Sequence, residues 1–188
     1  MPQLTIDTPW QRQWQPEFIG TLLFLVDTNR VLLIEKKTGH GKGKINAPGG
    51  KWEPGETLQE CAGREMLEET GIDAQPLGCA AELRFVERNG PQWLGYVFLA
   101  TQYRGTLMET PEARPFWCDL SSIPYQQMWV DDAIWLPQVL QHGLLTGHGE
   151  TSPLIYDLLF EAGELQAYEL SGQVGLSQSV HVPRVEEA

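Results

Sequence analysis

Between Gly50 and Ile72 the chain reads GKWEPGETLQECAGREMLEETGI, a stretch in which the backbone has little choice. Gly49, Gly50 and Gly55, together with Pro54, cannot propagate a helix and demand a looped backbone. From Thr57 the composition switches to helix formers, and Thr57 followed by Glu60 fits a capping box. Gly71 is a natural helix terminator just past Thr70. The stretch is therefore loop, helix, loop. At ~100° per residue, Leu58, Cys61, Ala62, Glu65, Glu68 and Glu69 fall within about one third of the helix circumference. The N-terminal half of that face is apolar and suited to packing on a sheet, and its C-terminal half is three carboxylates.

Three carboxylates on a half-buried face repel one another and raise each other's pKa unless positive charge sits among them. A hard divalent cation such as Mg²⁺ is a natural partner, because it prefers oxygen ligands and brings phosphates with it. The alternative is a solvated acidic face laced by Glu60–Arg64 pairing.

The spacing of Gly50, Glu56, Arg64-Glu65, Glu68-Glu69, Gly71 and Ile72, with Met66 at the inner apolar position, resembles the Nudix box at every fixed position. That family hydrolyses a nucleoside diphosphate linked to another moiety. The resemblance implies an α/β fold, an α/β/α sandwich with a mixed sheet between helices. It assigns the hydrolytic machinery to Glu56, Arg64, Glu65, Glu68, Glu69 and a loop carboxylate, Glu112. Glu65, Glu68, Glu69 and Glu112, with the backbone carbonyl of Gly49, are the implied ligands of Mg²⁺, or alternatively Mn²⁺. Arg64 is expected to orient Glu65, and Glu56 to support the loop–helix geometry.

The remaining chain reads as one domain of that kind. Thr21 to Asp27 and Val31 to Glu35 are apolar runs around a turn-like Thr28-Asn29-Arg30 and predict two strands. Lys36 to Asn46 is glycine-rich and locally basic, either facing phosphates or simply a polar loop. Gly78 to Val86 and Trp93 to Gln102 predict a hairpin, and Phe116 to Leu120 a short strand. Asp131 to Leu145 predicts a second helix, with Pro137 tolerable only near its start. Residues 153 to 170 suggest a closing hairpin around Ala162-Gly163. These readings divide the chain into an N-terminal extension (1–20), a hydrolase domain (21–170) and a polar tail (171–188).

The formal net charge of −12 argues against general affinity for nucleic-acid polymers. Cys61, Cys79 and Cys118 are odd in number and lack metal-ligand spacing, which suits a reducing cytoplasm. No apolar run is long enough to span a membrane, and nothing in the sequence calls for more than a monomer.

A second signal is the run Met128 to Pro137, MWVDDAIWLP, after RPFW at Arg114 to Trp117. With Asn46 ahead of the box, it resembles the MutT-homologue branch that hydrolyses oxidised purine nucleoside triphosphates. Guanine offers N1–H and N2 amino donors and an O6 acceptor, which an acid pair sharing protons can match. Trp129 and Trp135 are candidate walls stacking on a base. The resemblance implies base contacts from Asn46, Asp131 and Asp132, with Thr21, Lys36, Phe85 and Trp93 lining the same pocket and Phe160 a weaker candidate. Either aspartate also suits the N-cap of the helix that follows.

The expected function is Mg²⁺-dependent hydrolysis of an oxidised purine nucleoside triphosphate, 8-oxo-dGTP foremost, to the monophosphate and pyrophosphate. Other readings are a Nudix hydrolase for ordinary dNTPs, diadenosine polyphosphates or ADP-ribose, and a nucleotide-sensing module that has no turnover. The intact box glutamates favour an enzyme over a sensor.

Overall fold

A computed structural model describes residues 14–146, 152–171 and 178–181. Thr28, in the left-handed region at φ 59, and Asn29 turn the chain between strands β1 (Phe18–Asp27) and β2 (Arg30–Lys36). The two strands pair only beside that turn, Val26 with Val31 and Asp27 with Arg30, and then diverge. β2 continues between β3 (Ile45–Asn46) and β8 (Ala113–Asp119), both antiparallel to it. β1 instead runs parallel to β6 (Trp93–Ala100), with Phe18 opposite Trp93 and Leu25 opposite Ala100.

The glycine loop fills the wedge between the diverging strands. Leu23 N–H donates to Pro48 O, Thr21 N–H to Gly50 O and Trp52 N–H to Ile19 O, each at 2.9 or 3.0 Å. A Cβ on Gly49 would lie 2.0 Å from the Thr21 carbonyl oxygen, so this approach requires glycine.

Beyond β6 the sheet continues through β5 (Cys79–Glu87), β9 (Leu154–Glu161), β10 (Glu164–Ser171) and β11 (Gln178–His181). β5 and β9 are parallel and the other neighbours on this side antiparallel, so the sheet is mixed, as expected. Helix α1 (Leu58–Thr70) covers one face, where Ala62 and Met66 pack with Leu23, Leu25, Leu32 and Phe98. Helix α2 (Asp132–Thr146) covers the other, where Trp135, Leu136 and Val139 pack with Phe24, Leu33, Leu83 and Tyr156. Alternation along β1 sends Leu23 and Leu25 to the first layer and Phe24 and Val26 to the second. A small ribbon of β4 (Ile72–Ala74) and β7 (Tyr103–Gly105) stands apart from this sheet.

Four expectations shift, the first being that β8 begins at Ala113, opposite Lys36, rather than at Phe116, and ends at Asp119 before Leu120. β1 begins at Phe18, because Phe18 N–H bonds Gln92 O and its ring packs 4.5 Å from Trp93. Pro137 stands sixth in α2, inside the helix, where it lacks the N–H that would bond the Ala133 carbonyl. Part of the polar tail is a strand: Gln178–His181 pairs with Ala167–Leu170 through the backbone, which needs no apolar pattern. Residues 1–13 of the expected extension and 172–177 and 182–188 of the expected tail lie outside the described residues.

Candidate active site

Helix α1 starts as its sequence requires. The Thr57 side chain accepts from Glu60 N–H at 3.1 Å, and the Glu60 carboxylate accepts from Thr57 N–H at 2.7 Å. Glu60 is thereby committed to the cap, and the alternative Glu60–Arg64 pairing does not form. Arg64 turns to Glu56 instead, giving Nε to Oε2 at 3.0 Å and Nη2 to Oε1 at 2.9 Å. Its Nη1 reaches Glu65 at 2.8 Å and Glu68 at 3.2 Å. This fork holds the Glu56 carboxyl down at about 2 and raises the Arg64 guanidinium further above its ordinary value.

The three carboxylates of the face are buried very unevenly. Glu68 keeps 58% of its side chain exposed, Glu65 14% and Glu69 1%. Glu69 is buried yet satisfied, with Lys36 Nζ at 2.8 Å on one oxygen and Gly49 N–H at 3.0 Å on the other. Burial raises the Glu65 carboxyl, against the opposing pull of Arg64. Among the described residues no three acidic, His or Cys side chains are grouped as a cage for a metal ion, and Lys36 and Arg64 engage the oxygens of Glu69, Glu65 and Glu68. The donor chemistry nevertheless fits a hard cation: the oxygens are carboxylate and carbonyl, and the loop backbone lies against them. A Cβ on Gly50 would sit 2.3 Å from a Glu65 carboxylate oxygen.

Glu112 lies exposed in the loop before β8, its carbonyl accepting from Lys37 N–H at 2.8 Å. It is one residue from Ala113, the partner of Lys36 in the sheet, and its described hydrogen bonds are made by its backbone.

Next to this region a cavity of about 530 Å³ opens between the sheet, the glycine loop and the start of α2. All nine residues expected at a base pocket border it: Thr21, Lys36, Asn46, Phe85, Trp93, Trp129, Asp131, Asp132 and Trp135. Phe160 borders it too, 6.3 Å from Phe85 between ring centroids. Gly49, Gly50 and Lys36 belong both to this wall and to the surroundings of the α1 carboxylates.

Asp131 and Asp132 are buried side by side. The Asp131 carboxylate accepts from the Trp135 indole N–H at 3.0 Å, and Asp132 from Trp129 backbone N–H at 2.9 Å. Burial raises both carboxyls; with the added charge of Asp131, Asp132 is pushed up to about 8. Burial and mutual repulsion thus favour the protonated form at this pair, and a carboxyl–carboxylate pair sharing one proton can offer both a donor and an acceptor. Asp131 stands at the N-terminal boundary of α2, but its carboxylate serves the Trp135 indole.

Two of the expected wall residues have other engagements. Trp135 is fully buried, edge-on to Phe24, and holds Asp131 from behind; it is a core residue that borders the cavity. The Thr21 hydroxyl lies 3.4 Å from the Cys61 sulfur. Of three cavity residues that engage the Trp93 and Trp129 indoles, the sequence pointed only to Lys44, as part of a basic loop, and gave no sign of Lys51 or His40. Lys44 lies over the Trp129 ring at 4.8 Å, Lys51 over Trp93 at 5.3 Å, and His40 stacks on both indoles. The charge of Lys44 was visible in its basic loop, whereas a single histidine among glycines carries no periodic or motif signal.

The NUDIX domain family model matches residues 17–139. An oxidized purine nucleoside triphosphate hydrolase of Danio rerio is 40% identical over 129 residues, covering 68% of this chain and 83% of the relative. Its Mus musculus counterpart is 38% identical over the same shares. Among solved structures, a mutator MutT protein from Bacillus halodurans superposes with a TM-score of 0.67 at 26% identity, covering 83% of this chain and 99% of its own.

Proposed function

The chain belongs to the NUDIX domain family, and from that premise we propose that this hydrolase removes oxidised purine nucleoside triphosphates from the nucleotide pool. 8-oxo-dGTP is the favoured substrate, and the products are the nucleoside monophosphate and pyrophosphate. The Asp131–Asp132 pair carries the reading: a buried acid pair sharing a proton, set in an aromatic-walled cavity beside the motif carboxylates, suits an edge that both donates and accepts. Asn46, its Oδ1 turned to Ala47 N–H at 2.8 Å, has its amide N–H₂ to offer in the same cavity. The names of the two vertebrate relatives support the same substrate class.

Glu65, Glu68, Glu69, the Gly49 carbonyl and Glu112 would hold a divalent cation, with Mg²⁺ favoured. When bound, it would supply charge neutralisation for the phosphate oxygens and a lowered pKa for water. Lys36, which stands between Glu69 and the cavity, would turn to the phosphates once its carboxylate partner is engaged elsewhere. Arg64 and Glu56 would act as positioning residues that fix the direction of Glu65. The aromatic walls would exclude water from the base while the phosphates stay near the carboxylates. Cys61, Cys79 and Cys118 are free thiols, which supports a cytoplasmic setting.

The test is turnover with Mg²⁺ across 8-oxo-dGTP, 2-oxo-dATP, dGTP, ADP-ribose and diadenosine tetraphosphate. The expected kcat/KM for an oxidised purine is at least ~100-fold above dGTP, about 2.7 kcal/mol of discrimination. A flat triphosphate profile, or preference for ADP-ribose, would overturn base reading by the acid pair.

A further inference from the structure

The proposed base slot already holds an aromatic ring. The His40 imidazole lies nearly parallel to Trp93, at 14° and 5.7 Å between centroids, and to Trp129, at 17° and 5.0 Å. Its outer side is exposed, so it spans the cavity at its mouth, while Asp131 and Asp132 lie buried at the wall. Each indole also carries a cation over its ring, Lys51 on Trp93 and Lys44 on Trp129. A base that stacks on Trp129 and presents its edge to the acid pair competes with this imidazole for the same aromatic surface.

The segment carrying His40 is built to move as a unit. Its neck is closed where Lys36 N–H donates to Lys44 O at 3.0 Å and Gly43 N–H to Lys36 O at 2.8 Å. Between these points Gly39, Gly41 and Gly43 all have positive φ, at 68°, 80° and 83°. A Cβ added at Gly39 or Gly43 would meet nothing within 4 Å, so neither is packed against a neighbour on that side. Gly41 rests directly on Trp129, where an added Cβ would stand 3.3 Å from Cζ2. The flap is thus held down by stacking on two indoles and by Lys44 Nζ donating to Met128 O at 3.3 Å, rather than by burial of its own backbone.

We propose that His40 is the gate of the base slot, stacked between Trp93 and Trp129 in the free protein and displaced when a nucleotide base enters. This rests on the reading of the cavity as a base site. Larger bases displace the imidazole best, since stacking on aromatic side chains grows with the π surface offered. The closed gate weakens apparent affinity in proportion to its population, which for a gate shut nine times in ten is about 10-fold.

The gate can be watched directly, because the chain has four histidines. In protein with isotopically labelled histidine rings, stacking between two indoles shifts the His40 ring-proton resonances upfield, and His40→Gln assigns them. Titration with 8-oxo-dGMP, dGMP and dCMP, none of which carries a pyrophosphate bond to cleave, is expected to return these resonances toward solvent-exposed values, the purines acting first. His40→Ala is expected to bind 8-oxo-dGMP about 10-fold more tightly. Saturating nucleotide that leaves the His40 signals upfield overturns the gate, as does failure of all three nucleotides to move them. Weaker binding by His40→Ala also overturns it, making His40 a fixed wall. Equal displacement by dGMP and 8-oxo-dGMP supports the gate while counting against selectivity for oxidised bases, so the two readings fail separately.

Discussion

Asp132 and Glu56 are carboxyls moved in opposite directions, and each has its own pH signature. Asp132 is raised from 3.8 to about 8, so the folded protein keeps a proton that the unfolded chain has already released. Its contribution to stability therefore falls as pH rises between those values. If the retained proton reads the base, affinity for 8-oxoguanine nucleotides should also fall as pH rises through about 8. Asp132→Asn, a permanent neutral donor, should flatten that decline; an unchanged pH profile would remove Asp132 from base reading. Glu56, lowered from 4.5 to about 2 by Arg64, contributes stability that is complete above 4.5 and lost as pH falls through about 2. Glu56→Gln leaves Arg64 free to swing from Glu65, and kcat is expected to drop about 10–100-fold with little change in KM. Comparison of kcat and KM under saturating Mg²⁺ checks this, and a change confined to KM would mean that Glu56 has no positioning role. The sequence made the box residues legible because their chemistry is tied to spacing. It left Trp135 ambiguous, since an aromatic beside a pocket and an aromatic beneath it look alike in one dimension.

Helix α1 was legible end to end, because its cap, its apolar stripe and its terminator are all local. Thr57→Ala removes half of the capping box and should cost about 1 kcal/mol, read as a lower denaturation midpoint with wild-type substrate preference. A loss of preference would mean that the cap also shapes the cavity. The two- and three-residue strands β3, β4 and β7 were not legible, as so few residues display no period. Nor was the lie of residues 48–52 along β1, which depends on β2 leaving that edge free. For residues 36–46 the sequence shows a basic glycine-rich segment, facing phosphates or simply polar, and not its seat on two indoles, because those tryptophans are distant along the chain.

For the molecule as a whole, lysine and arginine in the site offset part of an acidic surplus. Lys36 on Glu69 and Arg64 on Glu56, Glu65 and Glu68 set two positive charges among four carboxylates, bracing the helix before any cation binds. Chelation with EDTA should therefore abolish turnover and leave the thermal midpoint nearly unchanged. A large fall in midpoint would show that the internal ion pairs do not suffice to hold the helix.

The sandwich itself could be inferred from one amphipathic helix on each side of apolar runs, but its strand order could not, since the pairings that define it are remote. β1 lies beside β6, and β5 beside β9, each pair parallel and far apart along the chain. That order has a consequence for biogenesis. As the polypeptide leaves the ribosome, the glycine loop and α1 emerge well before the strands that complete the neighbouring cavity. Until Leu154–Glu161 arrives, one edge of β5 has no mate, and a nascent chain stalled there presents an open row of backbone donors and acceptors to its neighbours. Translational arrest in that interval should yield aggregates rather than a partly active enzyme.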